Sequence, residues 1–359
     1  MLPEGLQYNS IVNIVSMIKS LGMNVVRLTY SIEMIDDHYA NSPNQSLQNT
    51  LINALGQPNG ATVLQQILAN NPLFTAATTR LEVFDAVAAE LAAQQIWVHV
   101  DNHVSKAQWC CSSDDGNAWF GDTYFDVSNW QRGLGFMAAR AANWQGLASM
   151  SLRNELRQPS NTAEPYTWND WMDNVIPAAT GIYSNNSAPL IFFSGFGYDT
   201  DDTYPIQRQT WNSVTFTPEN YSFQDKIVYE IHNYENSATC DQIQPNLYYN
   251  AYCAMNVTDA SCPNHGPVVM TEFGFDQTGG SYGSPYAQCI QSTVLDQPGY
   301  PGGWMQWVLA GSYYIRSGTQ DNDETWGLMN HDWSGWRNQT VIDEYVVPFV
   351  QATLRGQAT

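Results

Sequence analysis

The chain has 359 residues, with 34 Asp and Glu against 13 Lys and Arg and a formal net charge of -21. So acidic a surface is a poor partner for nucleic acid, whose phosphates are met by clustered Lys and Arg. No run approaches the roughly 18 apolar residues of a membrane span. The length carries a large core, as one α/β barrel or as two smaller domains.

From Ser10 to Leu21 the residues Ile11, Ile14, Val15, Ile18 and Leu21 recur at helical spacing, and Gly22 stops the helix. Residues 24–30 then read as a buried strand that carries Arg27. The stretch to Thr79 is expected to be an extended loop with helical pieces, such as 61–70. Thr79 followed by Glu82 forms a capping box for the next helix. Residues 96–103 form a strand ending in Asp101-Asn102-His103, and a Trp- and Cys-bearing loop follows. A helix near 130–144 leads to 150–156, an apolar strand expected to end in Asn154-Glu155. A Trp-rich helix over 166–183 and strands at 190–195, 226–234, 268–274 and 303–308 complete the pattern, with helices near 286–295 and 341–354. Strands alternating with helices imply βα units around a parallel sheet, closing into a (β/α)8 TIM barrel. Seven strands are counted, so the first barrel strand is expected to precede Met1. No linker divides the chain, which reads as a single catalytic domain over 1–359.

An amide and a carboxylate at the exit of a buried strand cost several kcal/mol unless partnered, so Asn154-Glu155 marks a network or a working site. Val268–Gly274 repeats the pattern with Glu272. Sorted by strand ends, one pocket collects Arg27, His103, Asn154, Glu155, His232, Tyr234, Glu272 and Trp307. Two carboxyl groups facing one pocket are the requirement of retaining glycoside hydrolysis, one protonating the leaving oxygen and one attacking the anomeric carbon. The 13 Trp and 20 Tyr fit sugar stacking as well as core filling.

Six cysteines, at 110, 111, 240, 253, 262 and 289, fit an oxidising compartment. Adjacent Cys110 and Cys111 would form only an unusual vicinal bridge, so one or both are expected to pair elsewhere. Sequons begin at Asn44, Asn185, Asn220, Asn256 and Asn338, which with the cysteines points to a secreted glycoprotein. The start at Met1 has no signal-peptide pattern, so the N-terminus is expected to be processed or incomplete.

Five stretches in order, Gly22–Leu28, Asp101-Asn102-His103, Ser151–Glu155, His232-Asn233-Tyr234 and Thr271–Gly274, resemble glycoside hydrolase family 5, most closely its secreted fungal members. The resemblance covers nearly the whole chain and implies a cellulase-like retaining enzyme, most nearly an endo-β-1,4-glucanase, working on polysaccharide as a monomer and without cofactor or metal. By the same resemblance Glu155 is the acid/base and Glu272 the nucleophile. Arg27 and Tyr234 hold the nucleophile, His232 lies near the acid/base, His103 and Asn154 face substrate, and Trp307 is the glucosyl platform. The chain departs from the family in reading Asn-Glu-Leu where Asn-Glu-Pro is usual.

Two other functions compete. One is a sugar-binding barrel without turnover; the other is a metal-dependent hydrolase using His99, Asp101 and His103. Glu230 is expected to be a buried partner for Arg27 or Arg153. Glu33, Asp36 and Asp37 either line the pocket or form an exposed acidic loop, and Trp109, Trp119, Trp304 and Trp326 are candidate sugar platforms.

Overall fold

The computed structural model describes residues 1–160 and 165–355. Helix α1 (Ile11–Ser20) begins where the Ser10 side chain accepts from Asn13 N–H and buries Ile11, Ile14, Val15 and Ile18. It ends at Gly22, whose φ of +79° suits a residue without a Cβ. Strand β1 (Val25–Ser31) follows. The segment up to Thr79 is more helical than expected, with α2 (Ile32–Tyr39), α3 (Leu47–Leu55) and α4 (Gln57–Asn70). In α3 the buried residues Leu47, Leu51 and Leu55 recur every four positions behind a Ser46 cap, which is a helix signature. The Thr79–Glu82 capping box opens α5 (Arg80–Ala93).

The remaining sheet strands are β2 (Trp97–Val104), β3 (Leu147–Ser151), β4 (Leu190–Ser194), β5 (Ile227–Asn233), β6 (Val268–Phe273) and β7 (Gly303–Trp304). They form one parallel sheet in the order of the chain, with helices between the strands. Nearly every residue of β2 and β5 is buried, as expected of strands covered on both faces. β7 is shorter than 303–308, although Met305 N–H and Trp307 N–H still donate to Met270 O and Phe273 O at 2.9 and 2.8 Å. The two edge strands, β1 and β7, border one mainly apolar cavity of about 470 Å³, lined also by α1 and the C-terminal helix. The sheet is thus a curled, parallel βα half-barrel.

The interior of the curl is polar and the outer layer aromatic. Ser151 Oγ and Thr271 Oγ1 donate to Glu230 at 2.5 and 3.0 Å, so its hydrogen-bond partners are hydroxyls rather than the expected arginines. Arg153 turns away, donating to Asn102, Ser105 and Asn117 over the Phe125 ring. Trp119 is fully buried against Phe120, Tyr166 and Phe196, and Trp304 stacks on Phe349 at 4.2 Å, so both belong to packing.

All six cysteines are paired. Cys240–Cys289 and Cys253–Cys262 bridge Cα separations of 5.3 and 5.9 Å, well within the ordinary range. That leaves Cys110 and Cys111 only each other, and they form the vicinal bridge that the sequence argued against. Among the described residues no helix is long and apolar enough to cross a membrane.

Candidate active site

The C-terminal ends of the strands open into a cleft of about 810 Å³ that contains both Glu155 and Glu272. Glu272 sits on β6, in register with His232 on β5. Gly274 follows two residues later because a Cβ there would overlap the Trp307 carbonyl. The two Glu272 oxygens have separate partners. Arg27 Nη1 donates to Oε1 at 2.5 Å, and the Tyr234 hydroxyl donates to Oε2 at 2.9 Å. Burial first, and the Glu272 charge second, push the Tyr234 phenol far above its ordinary range, so it stays a proton donor.

Arg27 is the hub. Its Nη2 donates to Asn154 Oδ1 at 2.6 Å and lies 3.2 Å from Asp101 Oδ1. Burial opposes ionisation of Asp101, but Arg27 and the His103 hydrogen bond outweigh it and hold that carboxyl well below its usual range. Asp101 Oδ2 in turn holds His103 Nδ1 at 2.8 Å, and the His103 ring is stacked on Trp307 with centroids 5.5 Å apart.

Glu155 lies beyond the end of its strand, because β3 stops at Ser151, three residues before Asn154. The chain still bonds to its neighbours there, through Leu152 N–H to Phe192 O and Asn154 N–H to Asn102 O. Glu155 then takes a φ of +48°, rare for a residue with a Cβ. Asp199 Oδ2 accepts its N–H at 2.7 Å and Arg157 Nη1 donates to its carbonyl at 2.7 Å, which fixes this turn. Sequence reasoning missed Asp199, which lies 44 residues further along the chain in a loop with no distinguishing motif.

Glu155 is in a different electrostatic setting from Glu272. Its side-chain contact is with His232 Nδ1 at 3.1 Å. Burial drives the His232 pKa down to about 4, so over neutral and mildly acidic pH this is a hydrogen bond to a neutral imidazole, not an ion pair. Burial likewise raises the Glu155 pKa, against the lowering influence of His103, Arg157 and Arg27. An oxygen of Glu155, a nitrogen of His232 and an oxygen of Glu272 all lie within 4.8 Å of one another.

All eight residues singled out from the sequence therefore fall within one site, seven joined by side-chain hydrogen bonds and Trp307 by stacking on His103. His99, Asp101 and His103 do not form a shared ligand set: His99 Nδ1 faces Ser149 Oγ at 2.8 Å, while Asp101 is occupied by Arg27 and His103. The Glu155–His232–Glu272 trio is dense enough for a metal, but both Glu272 oxygens already have donors and one of them is a guanidinium, which repels a cation. Of the expected platforms, Trp109 and Trp326 line the cleft. Trp109 packs edge-on to Tyr313 beneath the Arg316 guanidinium, on the hairpin of β8 (Ser312–Arg316) and β9 (Thr319–Asp323). Glu33 and Asp37 reach the cleft from α2, whereas Asp36 pairs with Arg132.

The family model for cellulase (glycosyl hydrolase family 5) matches residues 6–307. A glycosyl hydrolase 5 family protein of Chamaecyparis obtusa is 33% identical over 97% of this chain, which spans 62% of that relative's length. The catalytic domain of the major endoglucanase of Xanthomonas campestris pv. campestris superposes with a TM-score of 0.67 at 14% identity, covering 98% of this chain and 91% of that one. An endocellulase of Pyrococcus horikoshii in complex with cellotetraose gives 0.64 at 15% identity, covering 98% and 88%. At such identities these two establish the fold, that of the TIM-barrel cellulases.

Proposed function

The chain belongs to glycosyl hydrolase family 5, and we propose that it is a retaining β-glycosidase of cellulase type, cleaving a β-1,4-glucan internally. The observation that carries this reading is the asymmetry of the two close glutamates. Glu272 is held by a guanidinium and a phenol, while Glu155 is buried against a neutral imidazole. Environments that push two carboxyl groups apart assign them opposite roles. Oxygens within 4.8 Å fit the carboxyl separation of about 5–5.5 Å at which the second carboxylate attacks directly, and not the wider gap that admits a water.

Glu155, kept protonated, gives its proton to the glycosidic oxygen as the bond to the anomeric carbon breaks. Glu272 attacks that carbon from the opposite face and forms the glycosyl-enzyme. Water, deprotonated by Glu155, then releases the sugar with its original configuration. With Oδ1 engaged by Arg27, Asn154 offers its Nδ2 to a ring hydroxyl beside the reacting carbon. The cleft, lined by Trp109 and Trp326 as well as the glutamates, suits a chain running through it. The endoglucanase and the endocellulase among its structural neighbours favour glucan among the family's substrates. Three disulfides and the acidic surface support an extracellular place of action.

An aryl β-cellobioside and a panel of glucans and mannans test the reading. Hydrolysis should survive a chelator, favour the glucans, and fall by several orders of magnitude in Glu272→Ala. Carbohydrate binding without turnover by the wild type would overturn it, as would activity abolished by chelator and restored by zinc.

A further inference from the structure

We infer that the Cys110–Cys111 disulfide is a sugar-contacting surface, an apolar tile set between Asn154 and His103 on which a pyranose ring rests beside Glu155. This inference rests on the glycosidase reading above and adds a binding element to it. A bridge between neighbours in sequence closes no loop, so the usual loop-entropy contribution to stability is absent. The segment carrying it is held independently. Asn117 Oδ1 accepts the N–H groups of Ser105 and Lys106 at 3.0 and 2.9 Å, and Arg157 donates to Ser112 O and Asp115 Oδ2 at 2.9 and 2.6 Å.

Its location points to a ligand. Both cysteines are half-buried and line the cleft, whereas the other two disulfides do not. Their sulfurs and a Glu155 carboxylate oxygen lie within 4.8 Å of one another. Asn154 Nδ2 faces Cys111 Sγ and Cys110 Sγ at 3.6 and 3.9 Å, and His103 Nε2 faces Cys110 Sγ at 3.5 Å. Sulfur is a weak acceptor, so Asn154 Nδ2 keeps its capacity to donate. With His103 Nδ1 facing Asp101, its Nε2 is turned against Cys110 Sγ, and a disulfide sulfur has no hydrogen to offer it. Asn154 and His103 are clamped from behind by Arg27 and Asp101, so neither can turn to another partner. The result is a disulfide surface without hydrogen-bond donors, flanked by the Asn154 amide and a ring nitrogen of His103. A pyranose would rest on it with C–H bonds on the sulfurs, one hydroxyl accepting from Asn154 and another hydrogen-bonded to His103 Nε2. Two free thiols could ionise beside Glu155, and the disulfide cannot.

The test uses the full chain as Glu272→Gln, with cellotetraose as the probe. The protein is treated with a water-soluble phosphine and iodoacetamide, and alkylation of each cysteine is followed by peptide mass mapping. At about ten times Kd, cellotetraose should slow reduction of Cys110–Cys111 by about tenfold, the factor set by occupancy, and leave Cys240–Cys289 and Cys253–Cys262 unchanged. Binding with an unaltered Cys110–Cys111 rate would overturn the inference while sparing the glycosidase reading. Absence of cellotetraose binding would overturn the glucan assignment and this inference with it. In the otherwise wild-type chain, the double variant Cys110→Ser, Cys111→Ser should raise KM for the aryl β-cellobioside several-fold at an unchanged melting temperature. Unchanged kinetic constants in that variant would also refute it.

Discussion

Arg27 and Tyr234 divide the two oxygens of Glu272 between them, so each can be removed without losing the other's grip. A hydrogen bond to a charged group contributes about 1.5–3 kcal/mol. Tyr234→Phe, which keeps the ring, should therefore lower kcat by about 10- to 100-fold in steady-state assays. At Glu155 the expectation concerns pH. In the proposed mechanism its protonated form is the working one, and burial raises its pKa, so kcat/KM should be lost as pH rises through a value above that of an ordinary glutamic acid. In Glu155→Gln the alkaline limb should vanish from the pH profile. Glycosyl-enzyme formation should survive best on substrates with strongly activated phenol leaving groups, which need no proton. These two glutamates were legible in the sequence because a carboxyl at the end of an apolar strand has few structural explanations. The vicinal disulfide was not, because its formation depends on where the other four cysteines are carried by the fold.

At the scale of the element, the strand ends present the chemistry but do not by themselves orient it. The sequence ran β3 as far as Asn154-Glu155, whereas the pairing stops at Ser151 and Glu155 occupies a left-handed turn. With Arg157 on its carbonyl, that turn is set by Asp199, contributed by the loop after β4 (Leu190–Ser194), through one hydrogen bond to the Glu155 N–H. No periodicity or local motif encodes a contact across 44 residues. Asp199→Ala should lower both kcat and stability, the latter by about 1–3 kcal/mol, as a buried donor loses its partner and a rare φ loses its support. Thr79→Ala provides the contrast. It removes the side chain that caps α5 and should cost about 1 kcal/mol in denaturant melts while kcat/KM is unchanged. That cap was legible because both of its residues lie within one turn. Helices α2 and α3 were not, and α4 was only over 61–70, because the Pro, Gly and Asn residues between and within them read as loop.

Over the whole molecule, the buried acids Glu4, Glu155, Asp199, Asp202 and Glu230 share one sign. Burial raises Glu230 to about 7 and pushes Asp199 and Asp202 well above the ordinary carboxylate range. The folded state thus keeps protons that the unfolded chain has already released. The stability these groups contribute is complete below about pH 4 and is lost as pH rises, for Glu230 through about 7. Thermal melts should show the melting temperature falling from mildly acidic to neutral pH, and Glu230→Gln should flatten that fall. The parallel βα order was legible from its alternation of strands and helices, and so was the count of seven strands. The polar interior of the curl was only partly so, since strand periodicity places Glu230 inward without telling that hydroxyls of Ser151 and Thr271 would meet it. In the proposed mechanism Glu272 forms the bond to sugar and Glu155 moves the proton. This division of roles is tested most directly by adding azide to Glu272→Ala with an activated aryl β-cellobioside and determining the anomeric configuration of the product by NMR. An α-glycosyl azide is predicted, from a single displacement in the space the carboxylate has left. A β-glycosyl azide from this variant would contradict the assignment.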